Sequence, residues 1–243
     1  TIQARTPEGA AALSIVKDRL AATLPTVTTV AATGDILMSR CSLAAIRATG
    51  DWGAALRSPV GEYLAAADLT LGSLDGSIQD IAEPYGCIAM DYPNLTSPPQ
   101  VIEALTLAGF DGVTIATNHI FDCAAGGCGS RAMLRTIELL TAAGIKTVGG
   151  GADLEAALAP AIFEVNGVRF GVLGFDDIAA EDLQATETSP GTAPLDDSYQ
   201  DEKAAPPAEP AFYKPANMLG LARFEERIRR LAEEVDVVIV QVQ

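Results

Sequence analysis

Histidine is all but missing from this chain: His119 is the only one among 243 residues. A hydrolytic metal centre usually draws on several imidazoles, and this sequence cannot supply them. Basic residues are also scarce, with 16 Lys and Arg against 32 Asp and Glu, which leaves a formal net charge of −16. The pI near 4.3 argues against nucleic acid and anionic membrane as partners, since both would repel the chain. No apolar run approaches the roughly 20 residues that span a bilayer. The start, Thr1-Ile2-Gln3-Ala4-Arg5, has neither an initiator Met nor a signal-peptide pattern. We expect a processed or trimmed product, which leaves room for an export signal in the missing part.

What is present argues for a folded domain. Hydrophobic residues make up 49% of the chain and charged ones 20%, enough for a core in one large domain or two small ones. Four cysteines, Cys41, Cys87, Cys123 and Cys128, lack the two close pairs of a zinc ribbon. They read as disulfides of an exported protein, with buried free thiols as the other reading.

Periodicity gives alternating elements. Residues 7–24 place Leu13, Val16, Leu20 and Leu24 at helical spacing. Short apolar strands are expected at Val27–Ala32, ending in Thr33-Gly34-Asp35, and at Leu69–Leu74, ending in Asp75-Gly76. A third, Gly112–Ala116, runs into Thr117-Asn118-His119, and a fourth, Lys146–Val148, meets the triple glycine 149–151. Helices are expected at Ser42–Thr49, Ser58–Ala67, Pro98–Ala108, Arg131–Ala143 and Leu219–Glu234. Asn166-Gly167 marks a hairpin between Ala161–Val165 and Arg169–Phe175, and Val235–Val242 is a last strand. The sum is an α/β fold with a mixed sheet. Asp176–Glu209 carries ten acids, one base and four prolines, the composition of a solvated, mobile loop; a lid over a site is the second reading.

Three strand ends carry polar groups: Asp35, Asp75, and Asn118 with His119. Ligands of α/β sheets bind at the carboxyl ends of strands, so these groups could converge as ligands for Mn²⁺, Zn²⁺ or Fe. Plain turns and a helix cap explain the same residues without a ligand. The triple glycine lacks the lysine of a phosphate-binding loop and reads as a turn, and no nucleophile elbow is present.

Three motifs resemble the bacterial capsule-synthesis CapA family, also called the poly-γ-glutamate capsule family. Ala32-Thr-Gly-Asp-Ile-Leu-Met-Ser-Arg40 looks like its opening motif, and Ala67–Ile78 its second, usually Asn-Leu-Glu-Gly. Ala108–Asp122 is similar to its third, usually Ala-Asn-Asn-His followed by Asp. The resemblance runs over about residues 27–242. It departs at Ser73, where the family has Asn, and at Asp75, where it has Glu. Later His-Trp-Gly-like and Gly-His-x-x-His-like motifs are missing, with Gln241 or Gln243 near the position of the first.

The resemblance implies a metallophosphoesterase-like α-β-β-α sandwich with mixed sheets over residues 27–243, whose C-terminal part is missing. Residues 1–26 would form a helical extension and 176–216 an acidic, proline-containing loop. A divalent metal (Mn, Zn or Fe) would sit on Asp35, Asp75 and Asn118, with His119 and Asp122 as catalytic groups. The implied role is a metal-dependent hydrolase acting on an anionic extracellular polymer such as poly-γ-glutamate, alone or in a cell-surface biosynthesis complex. The alternative is a non-catalytic surface protein that keeps the fold without a working metal site. Disulfides Cys41–Cys87 and Cys123–Cys128 are expected, the first because the fold sets the first two motifs side by side. A second polypeptide or unseen residues beyond Gln243 would complete the sheet.

Overall fold

Four apolar segments pair in the order in which they occur. The computed structural model describes residues 27–80, 95–123, 128–179, 181–195 and 218–243. Strands β1 (Val30–Ile36), β2 (Leu69–Leu74), β5 (Gly112–Thr114) and β6 (Lys146–Val148) form one all-parallel sheet in the order β1-β2-β5-β6. Every residue of β2 is buried, as expected for a strand covered on both faces. Helices α1 (Arg40–Thr49), α2 (Pro59–Ala65), α3 (Ile102–Leu107) and α4 (Ser130–Ala142) occupy the connections. Ser58 caps α2 by accepting from the Gly61 amide, and Pro59 takes the first turn, where its missing N–H costs nothing.

A second sheet starts from the hairpin of β8 (Ala161–Val165) and β9 (Val168–Phe175). Asn166 and Gly167 have φ of 52° and 80°, the left-handed pair that a tight two-residue hairpin requires. The short helix α5 (Leu154–Ala157) precedes β8, and strand β11 (Val237–Val242) lies parallel to β9 on its other edge, after helix α6 (Met218–Ala232). Two-stranded pairs complete the set: β3 (Ser77–Ile78) with β4 (Thr96–Ser97), and β7 (Gly150–Gly151) with β10 (Gly191–Thr192).

Three apolar clusters separate the layers. Leu69, Leu71 and Val148 of the first sheet meet Phe163, Phe170 and Val172 of the second. Val101, Leu105, Met133 and Leu140 cover the other face of the first sheet. Leu173 and Phe175 pack under α6 against Leu231 and Phe224, with the two phenyl rings edge-on at 4.8 Å. Burying a side chain of this size contributes about 1.5–3 kcal/mol. The fold is thus mixed α/β, with one parallel sheet and helices. Among the described residues no helix is long and apolar enough to cross a membrane.

Four expectations need correction. β1 does not end before Thr33 but runs on to Ile36, with a register irregularity between Ala32 and Asp35, so Asp35 lies inside a strand. β5 stops at Thr114, two residues early. Only Gly149 of the triple glycine makes a turn (φ 82°); Gly150 and Gly151 pair as β7. The described part of 176–195 is solvated only in places: Asp176, Ala179, Thr192 and Ala193 are fully buried and β10 ties the segment to β7, while Thr186–Ser189 are exposed. Small Ala, Gly and Thr residues between the acids let the backbone pack closely, which average composition does not register. The expected helix at 7–24 and all of 196–216 lie outside the described residues.

Candidate functional site

Because β1, β2 and β5 are parallel, their carboxyl ends share one edge of the sheet. Asp35, Asp75 and the Asn118-His119 pair all stand there. Asp35 is exposed and in register with Ser73. Asp75 is half-buried just past β2, in a turn where only glycine can follow: a Cβ on Gly76 would lie 2.2 Å from the Leu95 carbonyl oxygen. Oδ1 of Asp75 is buried without a hydrogen-bond partner. Burial pushes the Asp75 carboxyl above the usual range, His119 pulls it back, and the charges of Asp35 and Asp122 raise it further. Asp75 therefore lies within the field of the other three.

Asn118 opens a single 3-10 turn, Asn118–Phe121, that carries His119 and delivers Asp122 at its end. The His119 Nδ1–H donates to Oδ2 of Asp122 at 2.8 Å, and the Leu95 amide donates to the same oxygen at 2.7 Å. The Ser77 hydroxyl holds the Asp122 carbonyl. Asp122 keeps the His119 imidazole charged to higher pH than usual, against a smaller opposing effect of burial. The Cys123–Cys128 disulfide follows directly, with a Cα separation of 5.9 Å, as expected. Cys41 is disulfide-bonded too; Cys87, its expected partner, lies outside the described residues.

The second sheet reaches the same edge. The Ser73 hydroxyl donates across to Oε1 of Gln243 at 3.5 Å. A cavity of about 460 Å³ opens beside Asp35, walled mainly by Ile36, Met38, Ile46, Leu56 and Phe110. Among the described residues no three His, Cys, Asp or Glu side chains are placed to hold one metal ion.

A family model described as "Bacterial capsule synthesis protein PGA_cap" matches residues 29–243. The chain belongs to this capsule-synthesis family. It is also 30% identical over 99 residues to "Capsule biosynthesis protein CapA" of Bacillus anthracis. That stretch covers 41% of this chain and 23% of the Bacillus protein.

Two further residues of this capsule-family chain belong to the edge and escaped sequence reasoning. Arg40, at the start of α1, has φ of 50°, a costly conformation for a residue with a side chain. Its charge acts on His119, and its buried Nε has no hydrogen-bond partner. Asp176, just after β9, is fully buried; burial pushes its carboxyl above the usual range, the amides of Ile178 and Ala179 and the Thr192 hydroxyl pull it back, and the charge of Asp75 raises it further. Arg40 was visible only as the last letter of a motif, and Asp176 only as the first acid of an acidic stretch.

Proposed function

We propose that this domain acts in the cell envelope on an anionic capsule polymer of the poly-γ-glutamate type, as a hydrolase that uses a divalent cation. The observation that carries this reading is the buried, unpartnered Oδ1 of Asp75 beside the His119–Asp122 pair. A carboxylate oxygen withdrawn from water without a partner is costly, and a cation offsets that cost. In this reading the cation would be held by Asp75, Asp35 and the Asn118 amide oxygen, with water completing the shell. Oxygen donors of this kind suit a hard ion such as Mn²⁺ better than a closed zinc cage.

The cation would supply Lewis acidity at the scissile carbonyl and lower the pKa of water. Asp122 occupies Nδ1 of His119, which leaves Nε2 to hold a proton. When water adds to the amide carbonyl and the C–N bond breaks, His119 hands that proton to the departing amine. Asp122 raises its pKa and so favours the proton-bearing form that an acid needs. Arg40, whose Nε has no internal partner, meets a carboxylate of the polymer, and the apolar cavity beside Asp35 receives its methylene groups. Export to the cell surface accords with the Cys123–Cys128 disulfide.

A second reading, polymer binding without cleavage, is favoured by one observation: no three acidic, His or Cys side chains close on a single point among the described residues. Mn²⁺ titration followed by electron paramagnetic resonance tests the cation. One bound ion, lost or weakened at least tenfold in Asp75→Asn, supports the first reading. No binding at millimolar Mn²⁺ overturns it.

A further inference from the structure

An uncovered apolar strip runs along α2 and the start of β1. Val60 and Tyr63 stand one turn apart on α2, with 64% and 77% of their surface exposed. Val30, 41% exposed, shares with Tyr63 a shallow cavity of about 130 Å³ that Thr29, Ala31, Ala66 and Ala67 complete. At the other end of α2, Val60 and Leu64 wall the larger cavity beside Asp35. The strip therefore connects two cavities, and nothing among the described residues covers it. β1 is also the outer strand of its sheet, paired only with β2 among the described residues. Single exposed apolar side chains are ordinary, whereas a contiguous strip of them marks a contact surface.

The point at which the preceding chain enters is fixed by hydrogen bonds. The Thr29 amide and hydroxyl donate to Oδ2 of Asp68 at 2.8 and 2.7 Å, and the Asp68 and Leu69 amides donate to the Thr29 carbonyl, both at 3.1 Å. Asp68 follows α2 closely, so the chain arrives at the Tyr63 end of the strip. Residues 1–26 lie outside the described residues, but their sequence supplies what the strip lacks. Leu13, Val16, Leu20 and Leu24 recur at the spacing of one helix face, and Pro25 ends the pattern just before the anchor. A helix over 7–24 is about 27 Å long at about 1.5 Å per residue. The seven residues of β1 span about 23 Å. Folded back from Pro25, the segment matches the strip in length. Charge also selects it over a second copy of the chain. Lys17 and Arg19 balance Glu8 and Asp18, whereas another whole chain brings a further net charge of −16 and is repelled. Its tether to β1 keeps it at high effective concentration.

We propose that residues 7–24 form a helix that docks on α2 and the start of β1, antiparallel to β1. Leu20 and Leu24 meet the cavity between Val30 and Tyr63. Leu13 and Val16 reach Val60, at the rim of the cavity beside Asp35. The inference requires neither the cation nor hydrolysis, and its outcome is independent of both.

The test is hydroxyl-radical footprinting of the full chain, read by peptide mass spectrometry. Oxidation of Tyr63 is compared with that of Leu107, which is exposed and lines neither cavity. Tyr63 should be oxidised about fivefold more slowly in the unaltered protein than in Leu20→Asp, where a charge interrupts the apolar face. Ala22→Asp places the same charge on the opposite face of the helix and should leave Tyr63 protected. Equal Tyr63 rates in the unaltered protein and in Leu20→Asp would overturn the proposal. Protection that survives Leu20→Asp but is lost on dilution also overturns it, and assigns the strip to a second copy. Should Leu20→Asp raise the Leu107 rate as well, the fold itself has loosened, and carbodiimide cross-linking of the unaltered chain decides instead. An intramolecular Lys17–Glu62 link supports the docked helix, and its absence contradicts it.

Discussion

His119 and Asp122 form a closed pair: the ring Nδ1–H donates to the carboxylate at 2.8 Å, and neither side chain exposes more than a quarter of its surface. Because the chain has one histidine, a single imidazole resonance reports on the pair. Asp122→Asn should bring the His119 pKa back down toward the ordinary value near 6.5. A histidine whose pKa is raised by folding contributes stability fully below its unfolded pKa. That contribution is lost as pH rises through the higher folded value. The unaltered protein should therefore exceed Asp122→Asn in stability by about 1.5 kcal/mol below pH 6, with the gap closing as the solution becomes alkaline. Denaturant melts at several pH values check this.

Asp75 has the opposite sign. Its carboxyl is raised by burial, so the folded state holds the proton more tightly than the unfolded chain does. Without metal, its contribution to stability declines as pH rises from about 3.9 through the higher folded value. In chelator at pH 7, Asp75→Asn should melt higher by roughly 2–4 °C, about 1 kcal/mol for a domain of this size. A saturating cation should shrink or reverse that advantage.

Gly174 and Gly149 set the spacing of the two sheets at the site. A Cβ on Gly149 would lie 2.5 Å from Cβ of Ala116 and 3.1 Å from Gly174, at a φ of 82° that disfavours any side chain. Gly174→Ala and Gly149→Ala should each destabilise by about 1–3 kcal/mol through overpacking. Thermal melts measure the loss, and a cation affinity that falls with it would show that sheet spacing controls the site.

Reduction of the Cys123–Cys128 bridge opens a loop of five residues' separation next to Asp122. The loop-entropy estimate for so short a loop is roughly 2 kcal/mol. Alkylation without reductant should leave the mass unchanged, and alkylation after reduction should add four alkyl groups.

Where a run of apolar residues is bounded by polar punctuation, the sequence was easily read. Leu69–Leu74 between Asp68 and Asp75-Gly76, Lys146–Val148 after Gly144, and Ala161–Val165 before Asn166-Gly167 appear with the expected bounds. Asp35, Asp75, Asn118 and His119 were legible as candidates because each follows such a strand. The rest depends on contacts between distant segments. The positive φ of Arg40 comes from how β1 turns into α1, and no local pattern announces it. Asp176 looked like one acid among ten, yet its amide and carbonyl are bound by Ala193 and Leu195, nearly twenty residues later. Pairing of Gly150–Gly151 with Gly191–Thr192 turned a stretch read as solvated into part of the site's wall.

The central claim is metal-dependent cleavage of an anionic capsule polymer, and polymer length measures it most directly. Purified protein is incubated with poly-γ-glutamate and Mn²⁺, and chain length is followed by size-exclusion chromatography. The account predicts progressive shortening that stops in chelator and falls at least a hundredfold in His119→Ala. Polymer that binds the protein but keeps its length, with Mn²⁺ present and bound, would contradict hydrolysis and leave polymer binding as the function.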